Sequence, residues 1–541
     1  MLESGQTEKK TARLAHSAAA GSENEEERFM DIMALMRTDR LSNRGVRALI
    51  LAAAATVLAP WAAAQDAENM VLLAHHPLDG RPSYQPMPHL YGDRWILFAG
   101  HHAGEAVNSL NGEVEGNGTS VLDVTDPSNP VYLAHIAAPP WQEHGSISLG
   151  TGAQHVQVCD GTALPNGDPE KVYMLRSLGN VSHEVYDVTD PSAPEFLATV
   201  VWTGDSPPME PGADFYDTKG THKNWWDCET GVAYVTSSIT GWKKWRSLQA
   251  FDLSRPEEPR HIRDFNLVGT EPTSTIPNVD APGGYSGIHQ PTVLGNRIYL
   301  AYGMDSGGVI QILDRDKFLN GDPQAADPMA PTPENLLYPE IARFDLPTYW
   351  GGHSVHPIMG MQVPGEGGEE HSLRDILVVV SEVTMNECHR GARHAAFFLD
   401  MTEEDKPFGI SNYQASEASG DFCNQGGRFG PHASNDSMAP VYYKSILFLS
   451  YFAAGVRAVD IRDPFNPREI AYYVPAVTEN TDERCIEVDG EQRCKTAIQT
   501  NNVNYDPRGY IYALDRADTG LHILELTGPA RAVAGLAPRE D

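Results

Sequence analysis

The stretch TSVLDVTDPSNPVYLAHI, Thr119 to Ile136, reads as an alternating strand ending on Asp123, a proline-bounded turn and a second strand. Proline presets φ for such a turn, and aspartate accepts a hydrogen bond from the backbone two residues on. The phrase returns as HEVYDVTDPSAPEFLATV (183–200), LQAFDLSRPEEPRHIRDF (248–265) and VRAVDIRDPFNPREIAYY (456–473). Blurred copies, IQILDRDKF and AFFLDMTEED, lie between the third and fourth. Self-similarity of this kind decides an architecture before any single element is assigned.

Upstream of each copy runs another apolar strand with a polar or glycine-containing end. These are RWILFAGHHAG, KVYMLRSLGN, VAYVTSSITG, RIYLAYGMDSGG, ILVVVSEVTMNE, SILFLSYFAAG and YIYALDRADTG. One further short segment precedes each, and there a residue type recurs: His89, His155, His222, His289, His353 and His432, with Asn501 in the seventh place. Successive spacings are 66, 67, 67, 64, 79 and 69 residues. Seven units of four short strands predict an all-β protein, a seven-bladed β-propeller with blades around a channel. The last unit stops after its third strand, GLHILELTG (520–528), and NMVLLAHHP (69–77) resembles an outer strand. The N-terminal strand is therefore expected to complete the last blade.

Residues 1–64 do not read as fold. From Met36, MRTDRLSNRGVR supplies a basic region, ALILAAAATVLAP an apolar core, and WAAAQ a small-residue cleavage site after Ala64. The apolar run is too short to span a bilayer, so no transmembrane anchor is expected in the mature chain. A translation start near Met36, export to the periplasm or beyond, and a single propeller domain over 65–541 follow as expectations. The full chain has 541 residues, a formal net charge of −33 and 21% charged residues. Nucleic-acid binding depends on clustered Lys and Arg, so this balance argues against it.

The D-P-x-x-P phrase resembles the LVIVD-repeat family of bacterial exported propellers, a likeness that implies the fold and export and transfers no catalytic residue. A wider fold-level likeness runs to histidine-bearing metal propellers: the selenium-binding protein/methanethiol oxidase group with copper, carotenoid cleavage oxygenases with iron, and oligogalacturonate lyases with manganese.

In a propeller the innermost strands line the channel, and the loops leading into them share a face with the ends of the second strands. His89, His155, His222, His289, His353 and His432 are thus expected to ring one channel mouth. His102, Arg176, Ser238, Asp305, Glu382, Tyr451 and Asp515 should join them, with Asn501 completing the ring. Converging imidazoles suit zinc, copper, iron or nickel; export and the fold-level likeness favour copper or iron, with zinc or manganese as the alternatives. Glu382 or Asp305 would then serve as base and Arg176 would steady substrate charge. The other account of the ring is a repeat-borne histidine bonded to the neighbouring blade. Within GGHSVHP (351–357), His353 falls in register with the ring, and His356 should face away from it.

Six cysteines in an exported chain point to disulfides, with 15 possible pairings. Blade order brings together Cys159 with Cys228 and Cys388 with Cys423, and a D-G hairpin turn pairs Cys485 with Cys494. That would leave a metal only nitrogen and oxygen ligands. An exported metal-dependent enzyme, an oxidoreductase more readily than a lyase or hydrolase, acting on a small organic substrate, is the leading expectation. A non-catalytic surface-binding propeller with structural histidines is the rival.

Overall fold

The computed structural model describes residues 64–138, 152–179, 182–200, 221–244, 246–277, 287–304, 307–364, 371–386, 394–488 and 491–539. The proposed start and signal segment lie outside these, as do Asp305 and Cys388. The chain is built of successive antiparallel sheets with a β-propeller-like, all-β fold. The first sheet runs Ser83–Tyr91, Arg94–His101, Val114–Asp123 and Val131–Ala138, with Glu105–Val107 as a short side strand. The next four have inner strands Val156–Asp160, Asn224–Asp227, Ile288–Leu294 and Ser354–Pro364, each followed in order by three more strands.

Apart from a separate two-stranded hairpin, the remaining strands form one nine-stranded sheet made of two four-stranded runs and one further edge strand. The first run begins at Phe429–Ser434 and ends at Arg468–Pro475; the second holds Thr500–Tyr505, Ile511–Asp515, Leu521–Leu526 and Met70–His76. A single pairing, Phe452 with Thr500, joins the two runs. Inner strands touch in chain order from Ser83–Tyr91 onward, and Thr500–Tyr505 returns to contact Ser83–Tyr91.

Packing follows the same cycle. Ile96, Phe98 and Val121 of the first sheet meet Val156, Val158 and Met174 of the second. Tyr173, Leu175 and Val185 then meet Trp226, Ala233 and Val235 of the third. The last cluster puts Tyr512, Leu514 and Ile523 against Leu97, Ala99 and Leu122 of the first sheet. Both faces of each sheet are thereby buried, which explains near-continuous apolar runs such as Ile376–Val380.

The repeated aspartates work as turn formers. Asp123 Oδ1 accepts from Thr125 N at 2.9 Å, Asp187 Oδ1 from Thr189 N at 3.0 Å, Asp252 Oδ1 from Ser254 N at 2.8 Å and Asp460 Oδ1 from Arg462 N at 3.1 Å. Each third-to-fourth strand pairing also shifts register at an equivalent place, between Val121 and Leu122, Val185 and Tyr186, Ala250 and Phe251, and Ala458 and Val459. Such bulges increase local twist.

The N-terminal segment ties together the two runs of the nine-stranded sheet. Met70–His76 pairs antiparallel with Leu521–Leu526, from Met70 opposite Leu526 to His76 opposite Leu521. Ala64–Glu68 pairs with Arg468–Pro475 as a further edge strand. Asn69, between them, has φ of 52°, a conformation asparagine tolerates better than most residues. Its Nδ2 donates to Ile470 O at 2.9 Å, and its carbonyl accepts from Thr527 N at 2.9 Å.

Two disulfides, Cys159–Cys228 and Cys485–Cys494, are present. The first links neighbouring sheets, and the second crosses a hairpin of Glu483–Val488 and Glu491–Thr496. Such bonds persist in oxidising compartments. Cys423 is described, but its expected partner Cys388 is not. No helix among the described residues is long and apolar enough to cross a membrane.

Met70 is 3% exposed and packs with Tyr473, Leu524 and Leu526. Met70→Asp buries an unpaired carboxylate at this closure and should lower unfolding free energy by roughly 3 kcal/mol or more. Asp66→Asn, at an exposed position, should leave it unchanged. Urea unfolding of both variants checks the contrast; equal midpoints would contradict it.

Candidate metal centre

His222, His289, His353 and His432 converge from four consecutive sheets. His222 Nε2 lies 2.8 Å from His289 Nε2. The His289 and His353 ring centroids are 3.6 Å apart, and those of His353 and His432 4.4 Å. Glu382, two residues beyond His371–Val380, brings Oε2 to 3.5 Å from His353 Nε2 and Oε1 to 3.8 Å from His432 Nε2. Donor atoms of His289, His353 and Glu382 all lie within 4.8 Å of one another, a spacing that could hold one ion.

Local sequence explains the placement of two of these rings. Gly287 precedes His289 with φ of +67°, and a Cβ there would stand 2.2 Å from the Arg246 carbonyl oxygen. Gly352 precedes His353 and donates its N–H to Tyr302 O at 2.9 Å. A Cβ at Gly352 would lie 2.9 Å from Ile310 Cδ1. The glycines of GGHSVHP thus permit the close approach that brings His353 inward.

Burial sets the charge of the cluster. All four histidines are at most 5% exposed. Desolvation, then neighbouring imidazoles and cations, holds each well below the ordinary histidine pKa, so the rings are neutral and carry free lone pairs. His432 Nδ1 donates to the Asn501 carbonyl at 2.5 Å, which fixes the tautomer and leaves the Nε2 lone pair toward Glu382 and the other rings. Among the described residues, both nitrogens of His353 and Nδ1 of His222 and His289 are buried without a hydrogen-bond partner. Orphaned groups of this kind cost about 1–3 kcal/mol each. His222 Nε2 is oversubscribed instead, facing His289 Nε2 and also Tyr84 OH at 3.2 Å. A bound cation would satisfy both conditions at once.

One residue further along three inner strands, a second polar layer forms around Asp436. Its Oδ2 accepts from Gln85 Nε2 at 2.9 Å, its Oδ1 from Gln290 Nε2 at 2.7 Å, and His155 Nε2 lies 3.4 Å away. Burial raises the Asp436 pKa, but the His155 hydrogen bond and the Lys223 charge outweigh it and hold the group at about 2. Lys223 Nζ donates to Gln85 Oε1 at 3.1 Å, and burial lowers its pKa to about 8.

His155 therefore belongs to this second layer, with Nδ1 3.3 Å from Asn224 Oδ1, and not among the four converging rings. His89 is also elsewhere: its Nε2 pairs with Asp160 at 3.0 Å near the far end of the strand. The first sheet is in register from Ser83 opposite His101, which puts Tyr84 rather than His89 at the cluster. His102 does adjoin it, 5.0 Å from the Tyr84 ring, with Nδ1 accepting from Gln154 Nε2 at 2.9 Å.

Arg176 lies inside its own sheet, where Glu184, Tyr186 and the Ile136 and Ala137 carbonyls take its donors. Tyr451 packs against Phe429 and accepts from Ala415 N at 3.2 Å. Asp515 accepts from Gln499 N and Ala517 N, both at 2.7 Å, and burial lifts its pKa to about 6. Ser238 is half-buried at the end of the third sheet's second strand. Asn501 acts through its carbonyl, and its side chain donates to Asn502 Oδ1 at 2.7 Å. His356 faces Tyr443, its ring centroid 6.0 Å away, outside the cluster.

Tyr84, Arg428 and Arg516 were not among the expected site residues. Arg428 Nη1 donates to Glu382 Oε1 at 2.8 Å, and Arg516 Nη1 lies 3.9 Å from the same oxygen. Arg516 directly follows Asp515, so a one-residue change of register would have found it.

No family model matches the chain, and no curated protein sequence does. Solved structures similar to it include the computationally designed Ika8 protein, at 8% identity over 84% of this chain and 98% of that one, with a TM-score of 0.36. A putative 6-phosphogluconolactonase from Bacteroides uniformis has 12% identity over 80% and 94%, with a TM-score of 0.39. The Pan2 WD40 domain of Neurospora crassa has 10% identity over 86% and 97%, with a TM-score of 0.41. Likeness at this level assigns neither family nor function.

Neutral burial of histidine has a pH signature. Desolvation lowers the His356 pKa to about 4, while the unfolded chain keeps the ordinary value of 6.5. The unfolded state therefore binds the extra proton between these values, so stability is full above pH 6.5 and is lost as pH falls toward 4. For His356 alone the loss is on the order of 3 kcal/mol. Melting temperatures from pH 8 to 4.5 should fall on the acid side, and less steeply for His356→Gln. An unchanged slope in that variant would contradict the assignment.

Proposed function

We propose that this chain is an exported, seven-bladed β-propeller metalloprotein of the LVIVD-repeat kind. Its transition metal would be held by His222, His289, His353 and His432 with Glu382. The reading goes further, to an oxidoreductase acting on a small organic substrate at the channel mouth. Inner-strand contacts that return to their start, and apolar clusters between successive sheets, support the blade count. The disulfides and the signal-like segment ending at Ala64 support export to the periplasm or beyond.

The observation that carries the metal reading is His353, wholly buried, with neither ring nitrogen hydrogen-bonded, between two other neutral imidazoles and beside a carboxylate. The donor set is nitrogen and oxygen, and Cys159, Cys228, Cys485 and Cys494 are tied up in disulfides. Imidazole-rich sites without thiolate suit copper and iron, with zinc also compatible. Such an ion, when bound, supplies Lewis acidity or electron transfer at an open position. The chain's own groups set the rest. Asn501 O orients His432, Glu382 offers a carboxylate to the ion or to a substrate proton, and burial excludes water.

Metal analysis of the purified chain tests this. After exposure to copper, iron, zinc or manganese and dialysis, about one ion per chain is expected, as for a single tetrahedral-type site. His289→Ala and His353→Ala should each weaken uptake roughly tenfold or more, the scale seen when metal-site groups are removed. His89→Ala should not. No uptake by the wild-type chain, or unchanged uptake by both cluster variants, would leave a non-catalytic binding propeller with structural histidines.

A further inference from the structure

The charge around the cluster indicates what a bound ion would share the site with. Glu382 Oε1 is approached by Arg428 Nη1 at 2.8 Å and Arg516 Nη1 at 3.9 Å, so two guanidiniums address one carboxylate oxygen. Both also flank the same ring, 5.3 Å and 5.8 Å from the centre of Phe452. The Arg516 side chain is only 13% exposed and makes no hydrogen bond among the described residues. A guanidinium presents five N–H donors in a planar fork that matches a carboxylate. In the second layer the Asp436 carboxylate is already taken up by Gln85, Gln290, His155 and the Lys223 charge, so it does not offset this charge.

A divalent cation on His289, His353 and Glu382 would draw on the carboxylate that these arginines share. Among the described residues, these two guanidiniums, the buried Arg246 and a dication would then share the one Glu382 carboxylate, in surroundings that exclude water. Buried charge of one sign is stable only when paired. The histidines supply no compensation, being neutral. The missing charge must arrive with the ligand.

We propose that the site takes a small organic anion, whose carboxylate is gripped by Arg516 and Arg428 beside the metal. The inference rests on the metal reading and deepens it by naming the substrate class. Arg516 and Arg428 act as binding groups, the role that Arg176 cannot fill from inside its sheet. A neutral molecule of the same shape would leave two guanidiniums facing a cation.

The test uses the full chain loaded with Co²⁺, whose visible absorption reports changes at the ion, in a non-coordinating buffer. Acetate and oxalate are titrated against acetamide and oxamide, their neutral counterparts. The anions should perturb the spectrum and saturate, and the amides should bind roughly tenfold more weakly or worse, as expected for a site built around charge-assisted hydrogen bonds. Arg516→Gln should weaken anion binding by a similar factor while Co²⁺ uptake and melting temperature hold. Arg516→Lys should recover part of it. Co²⁺ uptake with no preference for the anions, or with an Arg516→Gln variant that binds them normally, overturns this proposal and leaves the metal reading standing. Failure of the wild-type chain to take up Co²⁺ overturns both.

Discussion

The pairing of Met70–His76 with Leu521–Leu526 is the contact on which the remaining geometry depends. Each sheet buries an apolar face on the next, and the last sheet must do so on the first. Without the N-terminal strand, Leu521–Leu526 would be an exposed edge carrying Ile523 and Leu524. Asn69 and the strand before it extend the tie to Arg468–Pro475, so one short segment secures both runs of the nine-stranded sheet. Four histidines from successive inner strands can meet with neighbouring ring centroids 3.6 to 4.5 Å apart only if the strands are held in a fixed angular relation. The closure provides that relation far from the histidines themselves.

The axis is polar for a reason that packing does not supply. A repeat protein could fill its centre with aliphatic side chains and gain stability. Here the centre holds neutral histidines, a phenol, buried arginines and a lysine, and several of their polar atoms lack partners. Lys223 and Arg516 are held charged against burial that lowers their pKa to about 8 and about 9. Unsatisfied polar groups at this density are costly, and they cluster where a ligand completes them. In the second layer the Asp436 carboxylate is met by Gln85, Gln290 and His155, unlike the rings of the cluster above it.

How much of this was legible follows from what repeats encode. The D-P-x-x-P phrase fixed strand ends and turns, because those depend on local φ preferences and on hydrogen bonds two residues apart. Periodicity then led to His222, His289, His353 and His432. It failed at the first unit, where the inner strand shifts register between Ser83 and Pro86 and the pairing of Ser83 with His101 moves Tyr84 into the position counted for His89. It also failed for Arg176, because a strand end read in one dimension does not show that Glu184 on the adjacent strand lies opposite to receive it. Arg428 and Arg516 were missed because they follow no repeat: one lies in the loop leading into the sixth unit and the other just past a strand end. Site residues belonging to a single unit are invisible to an argument from repetition.

The central claim, one transition metal held by histidine nitrogen and a carboxylate, is tested most directly by X-ray absorption on the metal-loaded chain. The account predicts a nitrogen and oxygen shell at about 2.0–2.2 Å. It also predicts the outer-shell scattering of several imidazoles, diminished in His353→Ala. A sulfur shell near 2.3 Å, or an oxygen shell without imidazole scattering, would contradict it.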